Sequence, residues 1–125
     1  MINCIIVDDE PHCIRSLSRH VEQTTDIHLL KDFMNPLNAL EAIRSGTLDP
    51  DLVFLDNNMP QMDGLDLLKL LPNRVTVILV TGNPEAADEA RENGAADVLF
   101  KPVSYARFED SLNKVKSVIA AKQKA

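Results

Sequence analysis

Four short apolar runs, each nearly continuous rather than alternating, restrict this chain to few architectures. They are Ile2-Asn3-Cys4-Ile5-Ile6-Val7, Leu52-Val53-Phe54-Leu55, Val75-Thr76-Val77-Ile78-Leu79-Val80 and Val98-Leu99-Phe100. Each is rich in β-branched residues and bounded by polar or turn residues. A strand with one wet face alternates apolar and polar residues, whereas a strand covered on both faces does not. Strands of the second kind belong to parallel sheets between helical layers. A more mixed run, Ile27-His28-Leu29-Leu30-Lys31-Asp32-Phe33, suits an edge strand of the same sheet.

Helical spacing fills the gaps. Ile14, Leu17 and Val21 follow Pro11, a residue that suits a first helical turn. Leu37, Leu40 and Ile43 precede Gly46 as a stop, and Leu65, Leu67, Leu68 and Leu71 follow Gly64 and close at Pro72. Ala86, Ala87 and Ala90 give a weakly apolar fourth helix ending at Asn93-Gly94. Phe108, Leu112, Val115 and Ile119 give a fifth, with Ser104 as N-cap. Lys114, Lys116, Lys122 and Lys124 near the end are expected as a solvated helix terminus whose cations suit the negative dipole end, or as the start of a linker. Strand and helix alternate five times, about one unit per 25 residues. The pattern predicts one α/β domain over residues 1–125, a (βα)5 doubly wound parallel sheet.

Composition removes whole classes of function. Nineteen acidic against thirteen basic side chains leave a net charge of −6, which repels phosphate backbones and anionic lipid. Nucleic-acid binding and membrane binding by this domain are therefore not expected. Aromatic residues are only 4%, too few for base-stacking platforms. Apolar runs fall short of a membrane span, and Met1-Ile2-Asn3 opens no signal segment, so the expected location is the cytoplasm. Cys4 and Cys13 fit neither a disulfide framework nor a paired-ligand zinc motif, and are expected as small buried or half-buried residues.

In open parallel sheets, sites form beyond the carboxyl ends of the strands. Asp8, Asp9 and Glu10 follow the first strand and Asp56 follows Leu55; Thr81 and Lys101 follow the fourth and fifth strands. Two carboxylates about 4 Å apart repel by roughly 4 kcal/mol at an effective dielectric near 20. Lys101 offers one compensating charge, and an oxygen-rich acidic cluster of this kind is what Mg²⁺ takes. Carboxylate, metal, hydroxyl and ammonium together suit the making and breaking of an aspartyl phosphate.

These residues resemble the receiver domain of bacterial two-component response regulators, including the chemotaxis-regulator type. The resemblance spans the chain. It rests on Ile5-Ile6-Val7-Asp8-Asp9-Glu10-Pro11, on Leu55-Asp56-Asn57-Asn58-Met59-Pro60-Gln61-Met62-Asp63-Gly64, on Val80-Thr81-Gly82, and on Gly94-Ala95-Ala96-Asp97 leading to Lys101-Pro102. It implies a flavodoxin-like sheet in strand order 2-1-3-4-5. It implies Asp56 as phosphoryl acceptor, and Mg²⁺ held by Asp8, Asp9, Asp56 and the backbone carbonyl of Asn58. Thr81 and Lys101 would meet the phosphoryl group, with a cis Lys101-Pro102 bond and a small Gly82 leaving the approach clear. The implied partner is a sensor histidine kinase or phosphotransfer protein, and a second copy could dock on the fourth helix, fifth strand and fifth helix. Such a domain is no conventional enzyme, since it catalyses only its own phosphotransfer and dephosphorylation.

One position departs from the family. Val98 stands where an aromatic residue often serves as a rotamer switch, so output is expected through displacement of the loop after Thr81 and of residues 85–93. Other residues have plainer readings. His12 is expected on the surface or at a cap, Glu10 as a helix-terminal charge, Met59 and Met62 in loop packing, and Pro60 and Gly64 in the turn to the third helix. Three rival functions fit less well. A flavin module would find its phosphate repelled by Asp8-Asp9-Glu10. An aspartate-nucleophile Mg²⁺ phosphohydrolase would want a second acid beside Asp56 and a cap domain. A non-phosphorylated interaction module would not need every chemical position filled.

Overall fold

The computed structural model describes residues 1–124, the Lys124 side chain excepted. The described residues form, in chain order, β1 (Ile2–Val7), α1 (Pro11–Glu22), β2 (Ile27–Phe33), α2 (Pro36–Arg44), β3 (Leu52–Asp56), α3 (Gly64–Leu70), β4 (Thr76–Thr81), α4 (Ala86–Glu92), β5 (Asp97–Phe100) and α5 (Tyr105–Lys124). The strands make one parallel sheet in the order β2-β1-β3-β4-β5. This is the doubly wound, flavodoxin-like α/β fold, and the mixed run Ile27–Phe33 is indeed an edge strand.

Successive strand residues point to opposite faces, so the sheet feeds two cores. Val7, Val53, Leu55 and Leu79 pack against Leu40, Ile43, Leu67 and Ala90 of α2, α3 and α4. Ile6, Phe54, Ile78 and Val80 pack against Leu17 of α1 and Phe108 and Leu112 of α5. Burial on both faces is why β3 and β4 carry no exposed residue. The polar ends of these strands must then emerge at the sheet edge.

Two local expectations change. Leu37 is 46% exposed, and Ala39 takes its place in the core beside Leu40 and Ile43. Spacings of three spread Leu37, Leu40 and Ile43 over about 120° of a 3.6-residue helix, and packing centred on Ala39, Leu40 and Ile43 leaves Leu37 at the margin. The end of α5 is also fastened rather than simply solvated. Lys116 pairs with Asp26, and Lys122 donates to the Val75 carbonyl at 3.0 Å. The Lys124 side chain lies outside the described residues. Among those residues, no helix is long and apolar enough to cross a membrane.

Candidate functional site

Strand geometry brings the expected groups to one edge. Asp8 follows β1, with its N–H donating to the Phe33 carbonyl at 2.9 Å. Asp56 ends β3 and Thr81 ends β4. Lys101 follows β5, and its N–H donates to the Thr81 carbonyl at 2.9 Å. The Lys101-Pro102 bond is cis. Asp9 is half-buried, while Asn58 lies exposed in the loop between β3 and α3.

The Lys101 ammonium is the electrostatic centre. Its Nζ lies 2.9 Å from Asp56 Oδ1, 3.0 Å from Asp8 Oδ2 and 3.1 Å from Glu10 Oε1. Asp8 and Asp56 are buried; Asp56 Oδ2 has no hydrogen-bond partner among the described residues, and Asp8 Oδ2 meets only the Lys101 ammonium. Burial pushes the Asp56 carboxyl up to about 6, against the pull of the Lys101 hydrogen bond, and the neighbouring Asp8 charge adds to the rise. Burial raises Asp8 as well, opposed by the Glu10 N–H and by Lys101. Burial disfavours the Lys101 ammonium, but hydrogen bonds to Asp56, Asp8 and Glu10 outweigh it and hold the group charged. Carboxylate oxygens of Asp8, Asp9, Glu10 and Asp56 all lie within 4.8 Å of one another. Buried oxygens short of partners, on hard donors, fit a hard divalent cation such as Mg²⁺.

Thr81 is fully buried, and its Oγ1 accepts from the Asn83 N–H at 3.0 Å, so this hydroxyl also shapes the turn into α4. Gly64 donates its N–H to the Asn57 carbonyl at 2.8 Å, and a Cβ there would stand 2.3 Å from the Asp56 carbonyl oxygen. No side chain fits that approach, so the glycine holds the acceptor loop as well as turning the chain. A Cβ at Gly82 would meet nothing within 4 Å, so the surrounding protein does not require glycine there.

Three residues do more than their sequence positions suggest. Glu10 stands at the N-cap of α1 but makes no capping bond with its side chain, which turns to Lys101 instead. A charge-assisted hydrogen bond outweighs the dipole term at an exposed helix end. Lys101 correspondingly holds the Glu10 carboxyl below its usual range. Asn57 is buried with its Oδ1 unpartnered among the described residues, a position nothing in a lone asparagine announces. His20 lies 2.7 Å from the Val103 carbonyl and against the rings of Tyr105 and Phe108, steadying the chain just beyond Pro102.

The model of the response regulator receiver domain family matches residues 4–113. The chain belongs to this family. An uncharacterized response regulatory protein of Shewanella oneidensis is 36% identical over 118 residues, covering 93% of this receiver domain and 49% of that protein. Transcriptional regulatory protein BtsR of Escherichia coli is 33% identical over 118 residues, covering 93% and 48%. This receiver domain thus spans about half the length of the curated relatives it matches. Among solved structures, the response regulatory domain of mrkE from Klebsiella pneumoniae is 26% identical, with a TM-score of 0.85, covering 96% of this chain and 99% of that one.

Proposed function

We propose that this receiver domain is switched by phosphorylation of Asp56, with a sensor histidine kinase or phosphotransfer protein as donor. The observation that carries this reading is the Lys101 ammonium within 3.0 Å of two buried carboxylates, Asp8 and Asp56, with Asp56 Oδ2 left without a partner among the described residues. A carboxyl near 6 is still mainly ionised at neutral pH, so Asp56 is a competent nucleophile. An Asp56 oxygen attacks phosphorus, the phosphorus–nitrogen bond to the donor imidazole breaks, and that imidazole takes up a proton. Lys101 faces the incoming charge and exchanges part of its hold on Asp56 for the phosphoryl oxygens. Asp8, Asp9, Asp56 and the Asn58 carbonyl would hold Mg²⁺, which when bound supplies charge neutralisation between carboxylate and phosphoryl oxygens. Hydrolysis later returns the free carboxylate, so the domain acts only on its own phosphoryl group and is no conventional enzyme.

The output follows from Thr81. Turning its hydroxyl toward a phosphoryl group releases the Asn83 N–H and loosens the turn that leads into α4. The surface that changes is α4, β5 and α5, where Phe100 is 44% exposed on the edge strand and a second copy of the chain would dock. With a net charge of −6, the domain would act in the cytoplasm through protein partners, not through nucleic acid or membrane. Incubation with acetyl phosphate and Mg²⁺ should add one acid-stable, base-labile phosphoryl group by intact mass, lost in Asp56→Asn. Labelling unchanged in that variant overturns the assignment.

A further inference from the structure

A second group of ligating atoms lies beside the acidic cluster and differs from it in chemistry. A Glu10 carboxylate oxygen, a His12 ring nitrogen and the Cys13 sulfur all lie within 4.8 Å of one another at the start of α1. His12 Nε2 is already 3.5 Å from Glu10 Oε2. Two such donors bound to one tetrahedral Zn²⁺ at about 2.0–2.1 Å stand roughly 3.3 Å apart, so little movement is needed. The exposed His12 side chain is free to make it, and Glu10 can offer Oε2 while Oε1 stays on Lys101; half-buried Cys13 is fixed by the helix.

Space and charge agree. A cavity of about 380 Å³ opens against Glu10, His12 and Cys13 and runs toward Val80 and Val103, leaving room for a water as fourth ligand. Asp8 and Asp56 already engage Lys101, so the ammonium's repulsion of a second cation is largely spent. One nitrogen, one oxygen and one sulfur donor suit a borderline-soft ion, and neither thiolate nor imidazole suits Mg²⁺.

We propose that Glu10, His12 and Cys13 form a second metal site, for Zn²⁺ or a similar first-row transition ion, which shares only Glu10 with the oxygen cluster around Asp56. The thiol proton leaves to solvent as the sulfur binds. Glu10 joins the two centres: Oε1 accepts from Lys101 Nζ at 3.1 Å while Oε2 faces His12. An ion on Oε2 draws charge from that carboxylate and weakens its hold on Lys101, which gives a transition metal a route to the Asp56 centre.

Co²⁺ is the probe. Titrated into the full, metal-free chain, it should give a thiolate-to-cobalt charge-transfer band in the near ultraviolet that saturates at one equivalent. Zn²⁺ should abolish the band by displacement and a large excess of Mg²⁺ should not. Cys13→Ser should remove the band. His12→Ala should weaken binding at least about tenfold, since even outer-shell losses cost about 10–100-fold at metal sites. Cys4→Ala should keep the band, because Cys4 is wholly buried. Asp9→Ala should keep it too, which separates this site from the oxygen cluster and from the phosphorylation reading. Circular dichroism checks that each variant is folded. No band in the folded parent, a band surviving Cys13→Ser, or a band lost in Asp9→Ala overturns the site.

Discussion

Burial pushes the Asp56 carboxyl up to about 6, and a raised acid has a definite thermodynamic sign. The folded chain binds this proton more tightly than the unfolded one, so stability from Asp56 is fullest below about pH 4 and is lost as pH rises toward 6. A rise of that size corresponds to on the order of 3 kcal/mol, held down by whatever the Lys101 pair returns. Asp56→Asn should therefore be more stable than the parent at pH 7 in chelator, by about 1–3 kcal/mol, with a shallower loss between pH 4 and 6. Denaturant titrations at several pH values check this, and equal stabilities at pH 7 would show that Asp56 carries no such burden. Asp8 is raised by the same burial and keeps part of the slope in both proteins. At this scale the charged residues of the site were legible from strand-end position alone. Glu10's turn toward Lys101 and Asn57's burial were not, because each depends on a neighbour distant in sequence or on the shape of a loop.

Helix α4 is the weakest of the elements around the sheet. It runs seven residues, its N-cap Glu85 makes no side-chain capping bond, and its buried residues are Ala86, Ala87 and Ala90. At about 0.8 kcal/mol per buried methyl-sized group, that contact is small beside α5, where Phe108, Leu112, Val115 and Ile119 each bury a side chain worth about 1.5–3 kcal/mol. A buried hydrogen bond from Ser111 Oγ to Asp97 Oδ2, 2.7 Å long, further ties α5 to β5. Amides of residues 86–92 should exchange at least about tenfold faster than those of residues 108–119, because local opening follows local burial. With beryllofluoride and Mg²⁺, changed protection should concentrate in residues 81–105 and be little altered by Val98→Ala. Change confined to α1 and α2, or lost in Val98→Ala, would defeat the displacement of α4 as the signal. The alanine stripe of α4 was readable in advance; the exposure of Leu37 was not, since helix phase is set by the Pro36 start and its packing.

At the scale of the whole molecule, negative charge meets at one place. The chain carries −6, and four of its carboxylates crowd one sheet edge around Lys101. An ion that binds only the folded chain stabilises it by mass action, by about 2.7 kcal/mol at a hundred times its dissociation constant. Mg²⁺ should accordingly raise the melting temperature of the parent, and Asp9→Ala should remove most of that rise. A melting curve unmoved by Mg²⁺ would count against the oxygen cluster as a metal site.

The sequence by itself determined the order and kind of the elements, because burial on both faces writes continuous β-branched runs and amphipathic helices write their own period. It also determined which chemical groups reach the sheet edge, since a residue just past a parallel strand has nowhere else to go. Tertiary structure alone decided which carboxylates Lys101 serves, which oxygens stay unpartnered, and that Gly64 must let the Asp56 carbonyl come close. It alone opened a cavity between the start of α1, where Glu10, His12 and Cys13 lie, and the distant Val80 and Val103. Those are distances of a few ångströms between side chains, and periodicity along a chain does not encode them.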